Sequence, residues 1–189
     1  MDSAAFYDTF INYQVESGIN DRIAGLYKRS CNTGLTTRSD VLEIGCGIGT
    51  LTYLLLKKVR TGRIESVDIS PKSIAFARQH LNATNLTFYT ADILRFEPQQ
   101  KLFDRVMLFD VLEHIPLERH AQVFQRISKW INDDSLLLIN IPNPAYILHD
   151  QQNNPAALQE TDQPVYLAPL SAALASASLD ILSVETYSV

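Results

Sequence analysis

Asp40-Val41-Leu42-Glu43-Ile44-Gly45-Cys46-Gly47-Ile48-Gly49-Thr50 decides the fold of this 189-residue chain. An apolar run opens after Asp40 and stops at Gly45, which is how a short buried strand reads. Glycines at 45, 47 and 49 then permit a tight turn and let a ligand approach the backbone without Cβ interference. Thr50 to Val59 continues as a helix. A strand, a glycine loop and a helix in that order begin an α/β unit.

The pattern repeats downstream. Arg63 to Val67 reads as a strand, and Ser70 as the N-cap of a helix with Pro71 at its first position, running to about Leu81. Leu86 to Thr90 and Phe103 to Phe109 are two further strands. Leu117 to Ile131 is one amphipathic helix, with Ala121, Phe124, Ile127 and Ile131 on its apolar stripe. Ser135 to Ile141 is almost wholly apolar, as expected of a strand covered on both faces. Strands alternating with helices predict a parallel sheet with helices on both faces. Ligands of such sheets collect beyond the carboxyl ends of the strands.

Upstream, Phe6, Phe10 and Tyr13 share helical spacing, as do Ile19, Ile23, Leu26 and Tyr27, so two short helices precede the first strand. Asn143 to Pro164, rich in Gln, Asn and Pro, breaks the periodicity and reads as a loop or lid bordering the pocket. A helix from about Ala168 to Ser178 and a strand from Leu179 to Tyr187 close the chain.

Composition narrows the class. The length favours one domain spanning residues 1–189, in which residues 1–38 supply the N-terminal helices. Lys and Arg number 16 against 21 Asp and Glu, a formal charge of -5. That balance argues against a long nucleic acid as partner, because phosphate binders concentrate positive charge. No apolar run reaches the ~20 residues of a membrane span, and the first residues lack the basic start and apolar core of a signal peptide. Cys31 and Cys46 supply neither a disulfide framework nor a zinc pattern, so a reducing cytoplasm is the default.

Two acids fall where a ligand would lie. Asp68 ends the second strand, where a carboxylate can accept from both hydroxyls of a ribose. A helix cap is its plainer role, but Ser70 fills that already. Asp92 follows the third strand and can accept from an adenine amino group. The nicotinamide fingerprint G-x-G-x-x-G needs glycine where Thr50 stands. No P-loop lysine follows Gly49.

These motifs resemble the class I S-adenosylmethionine-dependent methyltransferases, over the stretch from about Asp40 to Pro144. Val41 to Gly49 is similar to the family's first motif, Val67-Asp68-Ile69-Ser70 to its second, and Ala91-Asp92-Ile93 to its adenine motif. Phe103 to Ile115, which includes Phe109-Asp110-Val111-Leu112-Glu113-His114, is similar to its fourth-strand motif. The resemblance implies a three-layer Rossmann-like α/β sandwich, mostly parallel, with S-adenosylmethionine (SAM) as cofactor and S-adenosylhomocysteine (SAH) as product. It implies backbone contacts from Gly45, Gly47 and Phe109 to the methionine part, with Ile69 and Ile93 flanking the adenine. Glu43 and Cys46, within the first motif, and Tyr13, in the region that often folds over the cofactor, join the cofactor-binding set. Members usually close the sheet with a final antiparallel strand. Here none remains after Tyr187, so the natural chain is expected to continue, or another chain to cover the edge.

The resulting expectation is methyl transfer to a hydroxyl or amine of a small molecule or saccharide. His114, just past the fourth strand, is the candidate catalytic base, although Glu-His there is often a structural pair. Two carboxylate or imidazole ligands without a third make no metal site. His149 lies in the polar segment, and His80 and His120 read as surface residues. The chain can act alone or as a homo-oligomer. Two other readings stay open: a non-catalytic SAM-binding or partner subunit, and a nucleotide-dependent oxidoreductase with a divergent glycine loop.

Overall fold

Five strands pair in parallel in the order β3-β2-β1-β4-β5. They are β1 (Val41–Ile44), β2 (Ile64–Asp68), β3 (Leu86–Thr90), β4 (Arg105–Phe109) and β5 (Leu136–Asn140). The α-helices among the described residues are α1 (Ile11–Ser17), α2 (Asp21–Asn32), α3 (Thr50–Lys58), α4 (Pro71–His80), α5 (His120–Ile127), α6 (Pro144–Asn153) and α7 (Leu167–Ala175). The computed structural model describes residues 11–100, 102–155, 158–159 and 161–187. Phe6, Tyr7 and Phe10 lie outside the described residues.

The pleat of β1 sorts the core. Val41 joins Leu51 and Leu55 of α3, together with Ile64 and Met107, on one face. Leu42 and Ile44 join Val106 and Leu108, Phe124 and Ile127 of α5, and Leu170 and Leu174 of α7 on the other. Successive residues of a strand point to opposite faces, so one continuous apolar run supplies two cores. Chain order reverses where β1 meets β4, whose register pairs Val41 with Arg105 and Ile44 with Leu108. That reversal opens a crevice at the carboxyl ends of the two strands.

Several boundaries differ from the expectation. The polar stretch after Asn143 is not a loop throughout, because Pro144–Asn153 is helical. The Asn143 side chain caps it by accepting from the Ala145 N–H at 2.9 Å, and Pro144 occupies the first turn. Only Ile147 and Asp150 of α6 are buried, too few to leave a periodic trace. Leu117 to Ile131 is not one helix: 3-10 turns at Leu117–Arg119 and Ser128–Trp130 bracket α5. Its buried stripe is Val123, Phe124 and Ile127 with Trp130, while Ala121 is only partly covered.

His120 is not a surface residue. It is 3% exposed, and its Nε2 lies 3.0 and 2.9 Å from the Leu112 and Ile115 carbonyls. Two carbonyl partners assign the proton to that nitrogen.

Strand β5 is partly exposed along its whole length rather than covered on both faces. Leu179 to Tyr187 forms no strand and pairs with none among the described residues. Its β-branched and aromatic residues carry strand propensity, yet a strand exists only where a partner edge completes the ladder. Leu182 is 79% exposed. The Leu179 N–H donates to the Leu174 carbonyl at 3.1 Å, and side chains tie down the rest of the segment. Glu185 accepts from Arg29 at 2.6 Å, and the Tyr187 hydroxyl donates to Asn140 Oδ1 at 2.5 Å.

Candidate functional site

A cleft of about 670 Å³ lies over the carboxyl ends of β1, β2 and β4. Its volume falls within the range of small-molecule sites. Every residue that the sequence assigned to cofactor binding or catalysis lines it: Tyr13, Glu43, Gly45, Cys46, Gly47, Asp68, Ile69, Asp92, Ile93, Phe109 and His114.

The glycine loop is built around positive φ angles: +77° at Gly45, +53° at Gly47 and +85° at Gly49. L-residues adopt such angles at a cost. At Gly45 space also forbids a side chain, since a Cβ there would stand 2.2 Å from Val111 Cγ2. The Gly45 and Cys46 N–H groups both donate to the Val67 carbonyl, at 2.8 and 3.2 Å, which locks the loop onto β2.

Asp68 holds the loop from the other side. Its Oδ2 accepts the Gly47 N–H and its Oδ1 the Ser70 N–H, each at 2.8 Å. Burial pushes its carboxyl up from the ordinary range, and those N–H groups together with that of Ile69 pull it back. Ser70 caps α4 as read, accepting from the Ser73 N–H at 3.0 Å. Asp92 Oδ1 accepts the Leu94 N–H at 2.9 Å and so shapes the turn after β3.

Glu43, at the inner end of the cleft, is 4% exposed. Its Oε2 accepts from Thr52 at 2.5 Å and from Ser66 at 3.0 Å, which joins β1, α3 and β2. Burial raises its pKa to about 7 against the pull of those two hydroxyls. Cys46 is buried, and its thiol is pushed well up by desolvation and by the Glu43 and Asp68 carboxylates.

The opposite end contains residues that sequence reading passed over. Asp110 follows β4 with φ at +56°, the left-handed region. Both its oxygens receive Arg22 of α2, through Nε at 2.8 Å and through Nη2, and Asn140 Nδ2 adds a bond at 2.7 Å. A bidentate arginine pairing over-determines the backbone there and can hold that conformation. His114 Nδ1 lies 3.0 Å from Asp162 Oδ1 and 3.3 Å from Thr161 Oγ1. Gln163 secures this strap, its N–H on the Glu113 carbonyl at 3.1 Å and its amide on the Ile115 carbonyl at 2.5 Å. The strap is the part of the 143–164 segment that meets the cleft, through Gln159 and Asp162. Glu113, on the same turn, is 2% exposed, and its Oε2 has no hydrogen-bond partner. No local signal marks Arg22 or Asp162, because each meets its partner only through the tertiary fold. Among the described residues no group of three His, Cys, Asp or Glu is placed to hold a metal ion.

The sheet order, the loop after β1, the acid that ends β2 and the acid that follows β3 define a Rossmann-like α/β domain with its cleft at the switch point. Over residues 41–134 the chain matches a family described as "Methyltransferase domain". The chain belongs to the class I S-adenosylmethionine-dependent methyltransferases.

It is 34% identical over 90 residues to malonyl-(acyl-carrier protein) O-methyltransferase of Acetivibrio thermocellus, across 48% of this chain and 32% of that one. It is 30% identical over 127 residues to (S)-tetrahydroprotoberberine N-methyltransferase of Eschscholzia californica, across 65% of this chain and 34% of that one. The matched stretch thus spans about a third of the length of each of these curated relatives. Magnesium protoporphyrin IX methyltransferase from Synechocystis PCC 6803, solved with bound SAH, superposes with a TM-score of 0.72 over 92% of this chain and 86% of its own. At 18% identity that likeness is one of fold.

Proposed function

We propose that this domain binds SAM in the cleft and transfers its methyl group to a hydroxyl or amine of a small molecule or saccharide. The observation that carries the reading is Asp68. Its two oxygens each accept one backbone N–H, and each keeps a lone pair for a ribose hydroxyl. The cradle fits the same ligand: a Cβ at Gly45 would strike Val111, and Gln14 Oε1 is buried without a partner close to Gly47.

In this reading Asp68 holds the ribose and Asp92 the adenine amino group, with Ile69 and Ile93 on either side of the ring. Gly45, Gly47 and Phe109 present backbone to the methionine part, and Glu43, Cys46 and Tyr13 complete the wall. When bound, the cofactor supplies a methyl carbon already activated by its sulfonium. The chain's contribution is alignment of the acceptor, which proximity rewards heavily. His114, oriented through Nδ1 by Asp162, is the candidate that takes a proton from a hydroxyl acceptor. The small-molecule acceptor in the name of the Eschscholzia relative supports that class, and the acid excess weighs against nucleic acid.

Calorimetry with SAM, SAH and NAD tests the reading. SAM and SAH should bind with micromolar Kd and NAD should not. Binding of NAD alone would favour the oxidoreductase reading, and binding of SAM without turnover over a broad acceptor panel would favour a non-catalytic subunit.

A further inference from the structure

Glu113 is a buried acid that the proposed cofactor contacts do not use. It lines the cleft, is 2% exposed, and leaves Oε2 without a partner. A carboxylate in that position is costly unless it is neutralised or meets a cation. The cations lining the cleft among the described residues do not supply one. Arg22 is committed to Asp110 by both arms of its guanidinium, and Arg119 stands exposed at the rim of the cleft. The other groups around Glu113 are the Asp110 carboxylate after β4, the Asp162 carboxylate on the strap, and His114 beside it on the turn. This end of the cleft therefore has a negative field, which draws in cations.

We infer that the methyl acceptor carries an amine, and that the Glu113 carboxyl group receives this amine and takes its proton. The inference rests on the methyltransferase reading and names the acceptor class within it. The step is a proton transfer alone. An ammonium R–NH3+ beside the carboxylate becomes R–NH2 beside a neutral carboxyl, the N–H electron pair stays on nitrogen, and nothing else is consumed. The nitrogen lone pair is then available for alkylation.

Burial, reinforced by Asp110 and Asp162 and opposed by Arg22, raises the Glu113 pKa to about 8. A base poised near neutral pH is suited to this task. It also gives a signature. At pH 7 the free side chain is mostly protonated, so entry of one ammonium must release close to one proton, whichever partner ends up holding the shared one.

The test is calorimetry on SAH-loaded protein at pH 7, in two buffers of different ionisation enthalpy, with phenethylamine and 2-phenylethanol as probes. Phenethylamine should bind at least about tenfold tighter than the alcohol, as one charge-assisted hydrogen bond requires. It should release close to one proton, whereas the alcohol should release none. Glu113→Gln should erase both the preference and the proton release while SAH affinity changes less than about twofold. Equal or undetectable binding of the two probes, or amine binding without proton release, would overturn the inference and leave the cofactor reading standing. Failure of SAH itself to bind would overturn the cofactor reading, and this inference with it. The proton count needs no variant, so poor folding of the Glu113→Gln protein would not blunt the test.

Discussion

Replacing Asp68 with alanine removes the carboxylate on which the cofactor assignment rests. Each oxygen already accepts one N–H at 2.8 Å, from Gly47 and from Ser70, which leaves one further lone pair apiece. Two ribose hydroxyls would use them. Hydrogen bonds to a charged group contribute about 1.5–3 kcal/mol each. Loss of one at the low end weakens binding about tenfold, and loss of both about a hundredfold. The Gly47 and Ser70 N–H groups lose their acceptor in the free and bound protein alike, so that cost falls mainly on stability, at about 1–3 kcal/mol for each N–H left buried. The two effects separate experimentally. SAH titration by calorimetry reads the first and urea denaturation the second, while Asp68→Asn retains one acceptor oxygen and should fall between. An unchanged Kd for SAH in a folded Asp68→Ala protein would refute the ribose assignment.

Three further outcomes follow from the same geometry. Ser70→Ala removes the cap of α4 and should cost about 1 kcal/mol in urea denaturation, with SAH affinity little changed. Gly45→Ala places a Cβ 2.2 Å from Val111 Cγ2 at a φ of +77°, so it should destabilise by about 2 kcal/mol or more, and Val111→Ala in the same chain should recover part of the loss. Glu43 and Glu113 carry pKa values raised to about 7 and about 8 in the fold, above the 4.5 of a free glutamate, so the folded state holds protons that the unfolded state gives up. Their contribution is therefore complete below about pH 4.5 and drains away as pH rises toward 8, by at most about 1.4 kcal/mol per pH unit for each group. Urea midpoints should fall across that window, and Glu43→Gln with Glu113→Gln should flatten the slope.

The sheet was legible because its signals are local. Val41 to Ile44 is apolar whatever surrounds it, Gly45 must adopt a φ closed to most residues, and Ser70-Pro71 caps and starts a helix within its own turn. Asp68 and Asp92 could be named for the same reason, since a parallel strand delivers its last residues to the carboxyl edge wherever the strand lies in the sheet. The Asn143-Pro144 cap was the same kind of signal, and the polar composition around it hid the helix it begins.

What only the tertiary structure decided are the relations between distant residues. Arg22 and Asp110 are 88 positions apart and meet because α2 crosses the end of β4. Asp162 reaches His114 because the strap folds back over the turn that follows β4. His120 is buried because two carbonyls of that turn converge on its ring. The residues from Leu179 to Tyr187 have the composition of a strand, yet strand formation depends on a neighbouring edge and not on the segment itself. Local sterics and hydrogen bonds within a few residues are written in the order of the amino acids. A buried charge, a shared proton or a strand's partner depends on what the rest of the chain brings alongside, and that exists only once the chain has folded.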